Sequence, residues 1–141
     1  TFAGGHFIVP TAAYRDEGTS YHYAPASDYI DIPTAAELSA AFDAISMPHV
    51  QGKTWTTDAI YRETRDGLAK RRAEGCITVE MECASLMAVG QFRKKAVYQF
   101  LYAEDCLDSV EWDPRIMGKQ PATAYEGYLD VALECAIRVK G

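Results

Sequence analysis

The segment TVEMECASLMAVGQF, residues 78–92, sets Glu80 and Glu82 on either side of Met81 where an apolar strand pattern gives way to an apolar helix pattern. A carboxylate in such a place is costly unless something pairs with it. Strand side chains alternate, so both acids share a face if the strand runs through residue 82. A carboxylate accepts two hydrogen bonds well and suits vicinal hydroxyls, as on a ribose. A methionine suits the apolar face of the same ring. A metal pair would need further ligands, and no histidine is close in sequence. Spacing alone leaves a second reading open, in which one Glu caps the following helix and the other is solvated. A further pair of acids, Glu104 and Asp105, ends the apolar run YQFLYAED. A carboxyl at the rim of a partly dry pocket is suited to donating a proton. The plainer reading is a turn residue that starts a loop.

These residues need elements to hold them. HFIVPTAAY (6–14) reads as a buried strand, and 15–32 as a long, turn-rich connection, a length often associated with function. Thr34 and Glu37 have the spacing of a capping box. They predict a helix over 34–46, with Ala35, Leu38, Ala41, Phe42 and Ile45 on one face and Pro48 beyond its end. Residues 49–58 read as a strand, 61–75 as a charged helix ended by Gly75, 76–81 as a strand and 83–92 as a helix apolar on nearly all sides. KAVYQFLYA (95–103) is apolar enough for a central strand. Residues 104–120 read as a loop. Pro121 opens a last helix to about Lys140, with Tyr125, Leu129, Ala132, Leu133 and Ala136 inward. Alternating strands and helices predict a three-layer α/β/α fold with a mixed, largely parallel sheet, as a single domain over 1–141.

Composition narrows the possible functions. The 141 residues carry a net charge of -6, with 48% hydrophobic and 24% charged residues. No Lys/Arg-rich face is visible, which argues against nucleic acid, and any anion site must draw on a local positive field. No apolar run approaches the roughly 18 residues of a membrane span, and no signal peptide opens the chain. Cys76, Cys83, Cys106 and Cys135 are widely spaced within apolar patterns, so reduced, buried thiols in a cytoplasmic protein are expected. The basic run at 70–72 reads as a solvated helix face. Arg15, Asp16 and Glu17 read as an internal salt bridge fixing a loop, His22 as packed between tyrosines, and Trp55 and Trp112 as packing or pocket wall.

Four motifs carry a family resemblance: IVPTAAYRDEGTSYHYAP, TWTTDAIY, VEMECASL and YAEDCL. In order and spacing they resemble the nucleoside phosphorylase family, which includes purine nucleoside phosphorylase, uridine phosphorylase and their nucleosidase relatives. The resemblance implies that Glu82, helped by Glu80, holds the ribose 2′ and 3′ hydroxyls, with Met81 packed on the sugar. It implies that Asp105 protonates a purine ring nitrogen as the glycosidic bond breaks, that Ile60 and Tyr61 line the base, and that Arg115 supports the acid or the base. Phosphate is then the co-substrate, with no cofactor and no metal, and the family implies a homo-oligomer built from dimers, a hexamer at full length. Glu104 departs from the Ser or Gly that many relatives place before the aspartate. The family's phosphate-binding glycine loop and arginines precede the part that this chain resembles, so the chain looks like a C-terminal portion. Such a portion is expected to leave sheet edge and core uncovered and to self-associate. Uridine as substrate, water as acceptor, and a non-catalytic fragment remain as alternatives.

Overall fold

The elements come from hydrophobic patterning, and where the pattern is ambiguous tertiary contacts decide. The structure, a computed structural model, describes residues 6–107 and 113–139. Four strands, β1 (Phe7–Asp16), β2 (Tyr29–Asp31), β3 (His49–Thr57) and β4 (Cys76–Glu80), form one sheet in the order β2-β1-β3-β4. β1 runs parallel to β3 and β3 parallel to β4, while β2 pairs antiparallel with β1. The sheet is therefore mixed and largely parallel, as expected. Among the described residues four α-helices complete the fold: α1 (Ala35–Ala44), α2 (Arg65–Ala73), α3 (Cys83–Phe92) and α4 (Ala122–Ala136).

One face of the sheet carries the main core. Phe7, Val9 and Ala13 of β1 pack there with Leu38 and Phe42 of α1, Cys83 and Met87 of α3, and Cys135 of α4. The Phe7 ring stacks on Phe42 at 5.6 Å and meets Phe100 edge-on at 5.1 Å. Each such ring contributes roughly 2 kcal/mol of burial. The opposite face holds α2, whose Arg71 guanidinium lies 3.6 Å from the centre of the Tyr14 ring.

Two irregularities set which side chains face which layer. Pairing shifts between Pro10 and Ala13 in β1, and between Lys53 and Thr54 against β4. At the second shift Lys53 pairs with Cys76 but Thr54 with Thr78, so β4 holds one extra residue, and a bulge of this kind turns the following side chains over. Thr78 and Glu80 thereby share the α3 face with Thr54 and Thr56, and Val79 shares the other face with Trp55.

Several expectations change. Residues 95–103 do not form a central strand. Leu101 alone bridges to Ile8, with both backbone bonds at 2.8 Å. β2 covers β1 only from Ala12 to Tyr14, so the segment reaches the part of the β1 edge that β2 leaves open. Its apolar character has another use, because Val97, Tyr98, Phe100 and Tyr102 pack against the core. The connection 15–32 contains β2 and a 3-10 turn, Thr19–His22. The capping box is not formed: Thr34 Oγ1 donates instead to the Val97 carbonyl at 2.6 Å, and Glu37 accepts from the Tyr98 hydroxyl at 2.6 Å. Both therefore tie α1 to the 95–103 segment. α2 begins at Arg65, where Thr64 accepts from Gly67 N–H at 3.2 Å, and ends before Gly75, whose φ of +93° suits glycine.

α3 is buried along Cys83, Ala84, Met87 and Ala88, but Leu86 and Phe92 are exposed. α4 turns Tyr128, Val131 and Cys135 inward, whereas Tyr125, Leu129, Leu133 and Ala136 face out and Ala132 is half-buried. Arg71, in the basic run, is buried rather than solvated. Arg15 makes no salt bridge with its acidic neighbours. Its guanidinium donates to Ser20 Oγ at 2.8 Å and to the Pro25 carbonyl at 2.6 Å, and lies over the Tyr21 ring. The loop is thus pinned by an arginine serving carbonyl and hydroxyl oxygens. His22 and its tyrosine neighbours are exposed, not packed together. The four cysteines are free thiols, three of them buried. Trp112 lies outside the described residues.

Candidate active site

The triplet Glu80-Met81-Glu82 sits at the tip of β4 and leads directly into α3. The bulge in β4 aims the Glu80 carboxylate back over β3. Its Oε1 accepts from Thr54 Oγ1 at 3.1 Å and Thr56 Oγ1 at 2.6 Å, and its Oε2 from the N–H groups of Glu82 at 2.8 Å and Cys83 at 2.6 Å. Glu80 thus satisfies the first donors of α3, where a negative charge is favoured. Thr56 Oγ1 also accepts from Ala84 N–H at 3.1 Å, extending the network into the helix. Burial, and then the charge of Glu80, push the Cys83 thiol up. Cys83 therefore stays a neutral thiol and donates to Gln99 Oε1 at 3.2 Å.

Glu82 stands one step further out. It begins α3 without capping it, and its Oε2 accepts a long bond, 3.3 Å, from Met81 N–H. Glu82 and Met81 are both exposed. The two glutamates consequently differ in kind: one is committed to four internal hydrogen bonds, and the other presents its carboxylate outward.

Asp105 lies in a different setting. It lines a cavity of about 530 Å³ on the α2 face, with Trp55, Val79 and Tyr102 among the walls. Val79 is the residue before Glu80, so the cavity reaches the foot of the acidic strand tip. Glu104 lines the same cavity and accepts from the Tyr125 hydroxyl at 3.4 Å. Burial pushes the Glu63 carboxyl up, and the charge of Asp105 adds to the effect. Sequence reasoning did not single out Glu63, because it lies two residues past the motif TWTTDAIY and approaches Asp105 only through the fold.

The remaining predicted residues are spread more widely. Ile60 and Tyr61 belong to a 3-10 turn, Ile60–Arg62, after β3, and are 51% and 98% exposed, so no wall of the cavity is made by them. Arg115 lies in a turn before α4. Its N–H donates to Asp113 Oδ1 at 3.0 Å and its Nε stands 3.6 Å from Asp113 Oδ2. Among the described residues no group of three metal-ligating side chains comes together.

Residues 1–123 match the Phosphorylase superfamily, and the chain belongs to it. Solved structures share the fold. Purine nucleoside phosphorylase from Toxoplasma gondii, in complex with immucillin-H, superposes with a TM-score of 0.74 at 18% identity, over 96% of this chain and 56% of that one. AMP nucleosidase from Bacteroides thetaiotaomicron gives 0.66 at 23% identity, over 94% and 51%. The P. knowlesi homologue of P. falciparum PNP gives 0.66 at 19%, over 93% and 52%. The chain thus spans about half the length of the solved structures it matches.

Proposed function

We propose that the protein contributes the sugar- and base-binding half of an enzyme that cleaves the N-glycosidic bond of a purine nucleoside, with phosphate as acceptor and base and ribose 1-phosphate as products. The observation that carries this reading is that one strand, β4, serves two acidic sites. The exposed Glu82 stands on the β4 tip, and the cavity holding Asp105 opens along the same strand at Val79. Membership of the superfamily supports the reaction class.

In this reading the Glu82 carboxylate accepts from the ribose 2′ and 3′ hydroxyls, and Met81 covers the apolar face of the sugar. Glu80 acts mainly as a positioning residue, since its four hydrogen bonds fix the turn from which Glu82 projects. As the bond from the anomeric carbon to the base nitrogen breaks, its electron pair moves onto the base. The Asp105 carboxyl delivers a proton to a ring nitrogen, so the base leaves neutral. A phosphate oxygen forms the new bond to the anomeric carbon. Stabilising the leaving base while the sugar is cation-like is where a general acid has most effect. Ile60, Tyr61 and Arg115 belong to this reading as base and acid partners.

Asp105→Asn tests it. With inosine and phosphate, the variant is expected to lose roughly a hundredfold in turnover, the usual size of a lost general acid, while nucleoside affinity stays within a few-fold. Equal turnover by the variant would rule out the acid role. Omitting phosphate from the assay separates phosphorolysis from hydrolysis.

A further inference from the structure

The first turn of α3, which begins at Glu82, is tied to the ends of three parallel strands. The N–H groups of Glu82 and Cys83 donate to Glu80 at the end of β4, and the Ala84 N–H donates to Thr56 near the end of β3. The next residue, Ser85, reaches past both strands. Its hydroxyl donates at 2.9 Å to Oε2 of Glu17, which directly follows β1. β1, β3 and β4 lie side by side in the sheet, so this third tie comes from the strand furthest from the acidic tip.

Glu17 is built into its place rather than left on the surface. It is 8% exposed, and the same Oε2 accepts from the Ser20 N–H at 2.9 Å. Ser20 is fully buried, and its hydroxyl in turn accepts from Arg15 at 2.8 Å. The long connection after β1 is thereby closed on itself and fastened to α3 through one oxygen. The other oxygen, Oε1, is buried without a donor, and an acceptor in that state is costly. Closing the loop accounts for the Ser20 bond but not for the bond to Ser85.

The backbone ties to Glu80 and Thr56 hold successive N–H groups, and a helix held there can still turn about the line that joins them. A third tie off that line removes the turn. Ser85 comes three residues after Glu82, close to one helical turn, and side chains three apart are neighbours on a helix surface. A rotation of the first turn that moves Ser85 therefore carries Glu82 with it. A binding group needs its position held to within about 0.5 Å by such supporting bonds.

We infer that Glu17 is a positioning residue of the sugar site: through Ser85 it fixes the rotation of α3 from which Glu82 meets the vicinal hydroxyls. The inference rests on the sugar-binding reading above and adds the group that holds the grip in place. Glu17 acts through Ser85 and not on the nucleoside itself.

Titration with inosine and with 2′,3′-dideoxyinosine, which lacks both hydroxyls, separates the grip from general loosening. The parent protein is expected to favour inosine by about tenfold or more, the worth of hydrogen bonds to a charged group. Glu17→Ala, folded as judged by its melting curve, is expected to narrow that ratio roughly fivefold or more, since a small misplacement of a binding group removes much of its effect. Glu17→Gln keeps an acceptor for both donors and is expected to stay within about twofold of the parent ratio. Should Glu17→Ala fail to fold, Ser85→Ala cuts the same tie from the helix side and is expected to narrow the ratio as well. A ratio left intact by the folded variants, an equal fall in both affinities, or a Gln variant as impaired as the Ala variant would overturn the inference. Failure of the sugar reading has a different signature. The parent then shows no preference for inosine, and Glu82→Ala changes nothing. A preference that Glu82→Ala abolishes and the Glu17 and Ser85 variants leave intact would remove the positioning role alone.

Discussion

The acids of this chain show how little a residue type settles and how much its partners do. Glu80 and Glu82 are two positions apart, yet Glu80 is held by two threonine hydroxyls and two backbone N–H groups while Glu82 looks outward. Of the two readings open from spacing, the structure shows the second: the strand ends at Glu80, which fixes the helix start, and Glu82 is exposed. Glu80→Ala leaves two hydroxyls and two helix N–H groups without their acceptor, and a chemical melt is expected to show a loss of about 2 kcal/mol or more. Glu17 offers a pH test. Burial works against its charge, but bonds from Ser20 and from Ser85 outweigh that, and its carboxyl lies below the ordinary 4.5. A depressed carboxylate adds stability that is complete above its unfolded value and is lost as pH falls through its folded value. Below about pH 4.5 the parent protein is therefore expected to lose more stability than Glu17→Gln does. Parallel acid melts of the two would contradict the assignment.

At the scale of elements, patterns with strong periodicity or clear end signals were readable. β1, β3, β4 and α3 fall where apolar runs and their breaks put them, because each depends mostly on its own residues. The failures share a cause. Residues 95–103 carry strand-like apolarity, but β1 offers only a short open edge there, so side-chain packing replaces ladder pairing. α4 has two apolar stripes, and periodicity cannot tell that Tyr128, Val131 and Cys135, not Tyr125, Leu129 and Leu133, meet the core. Thr34 and Glu37 have capping-box spacing but are recruited by Val97 and Tyr98, which are distant in sequence. The contact of α3 with this segment is close. A Cβ on Gly90 would collide with Val97 Cγ2 and crowd the Lys95 carbonyl at 3.1 Å. Gly90→Ala is accordingly expected to destabilise by about 1–3 kcal/mol, the usual cost of overpacking. An unchanged melting midpoint would show that the segment gives way freely.

For the whole molecule, the class was legible and the division of labour was not. Motif order pointed to the superfamily that the match over residues 1–123 shows. The faces on which the acids lie depend on the bulge in β4, and no residue at 76–78 announces that bulge in one dimension. Likewise, nothing in KRR at 70–72 distinguishes the buried Arg71 from its exposed neighbours until Tyr14 and Glu74 are placed against it. Among the described residues no helix is long and apolar enough to cross a membrane. α4 carries Leu129 and Leu133 on an exposed side, with Ile137 exposed just past its end, and the solved structures that share the fold are about twice as long as this chain.

The central claim is that an acidic strand tip grips the sugar of a nucleoside, and titration of inosine into the parent protein and into Glu82→Ala tests it most directly. The account predicts that the variant, folded as judged by its melting curve, no longer binds inosine measurably. Binding of inosine to Glu82→Ala with the affinity of the parent would contradict it.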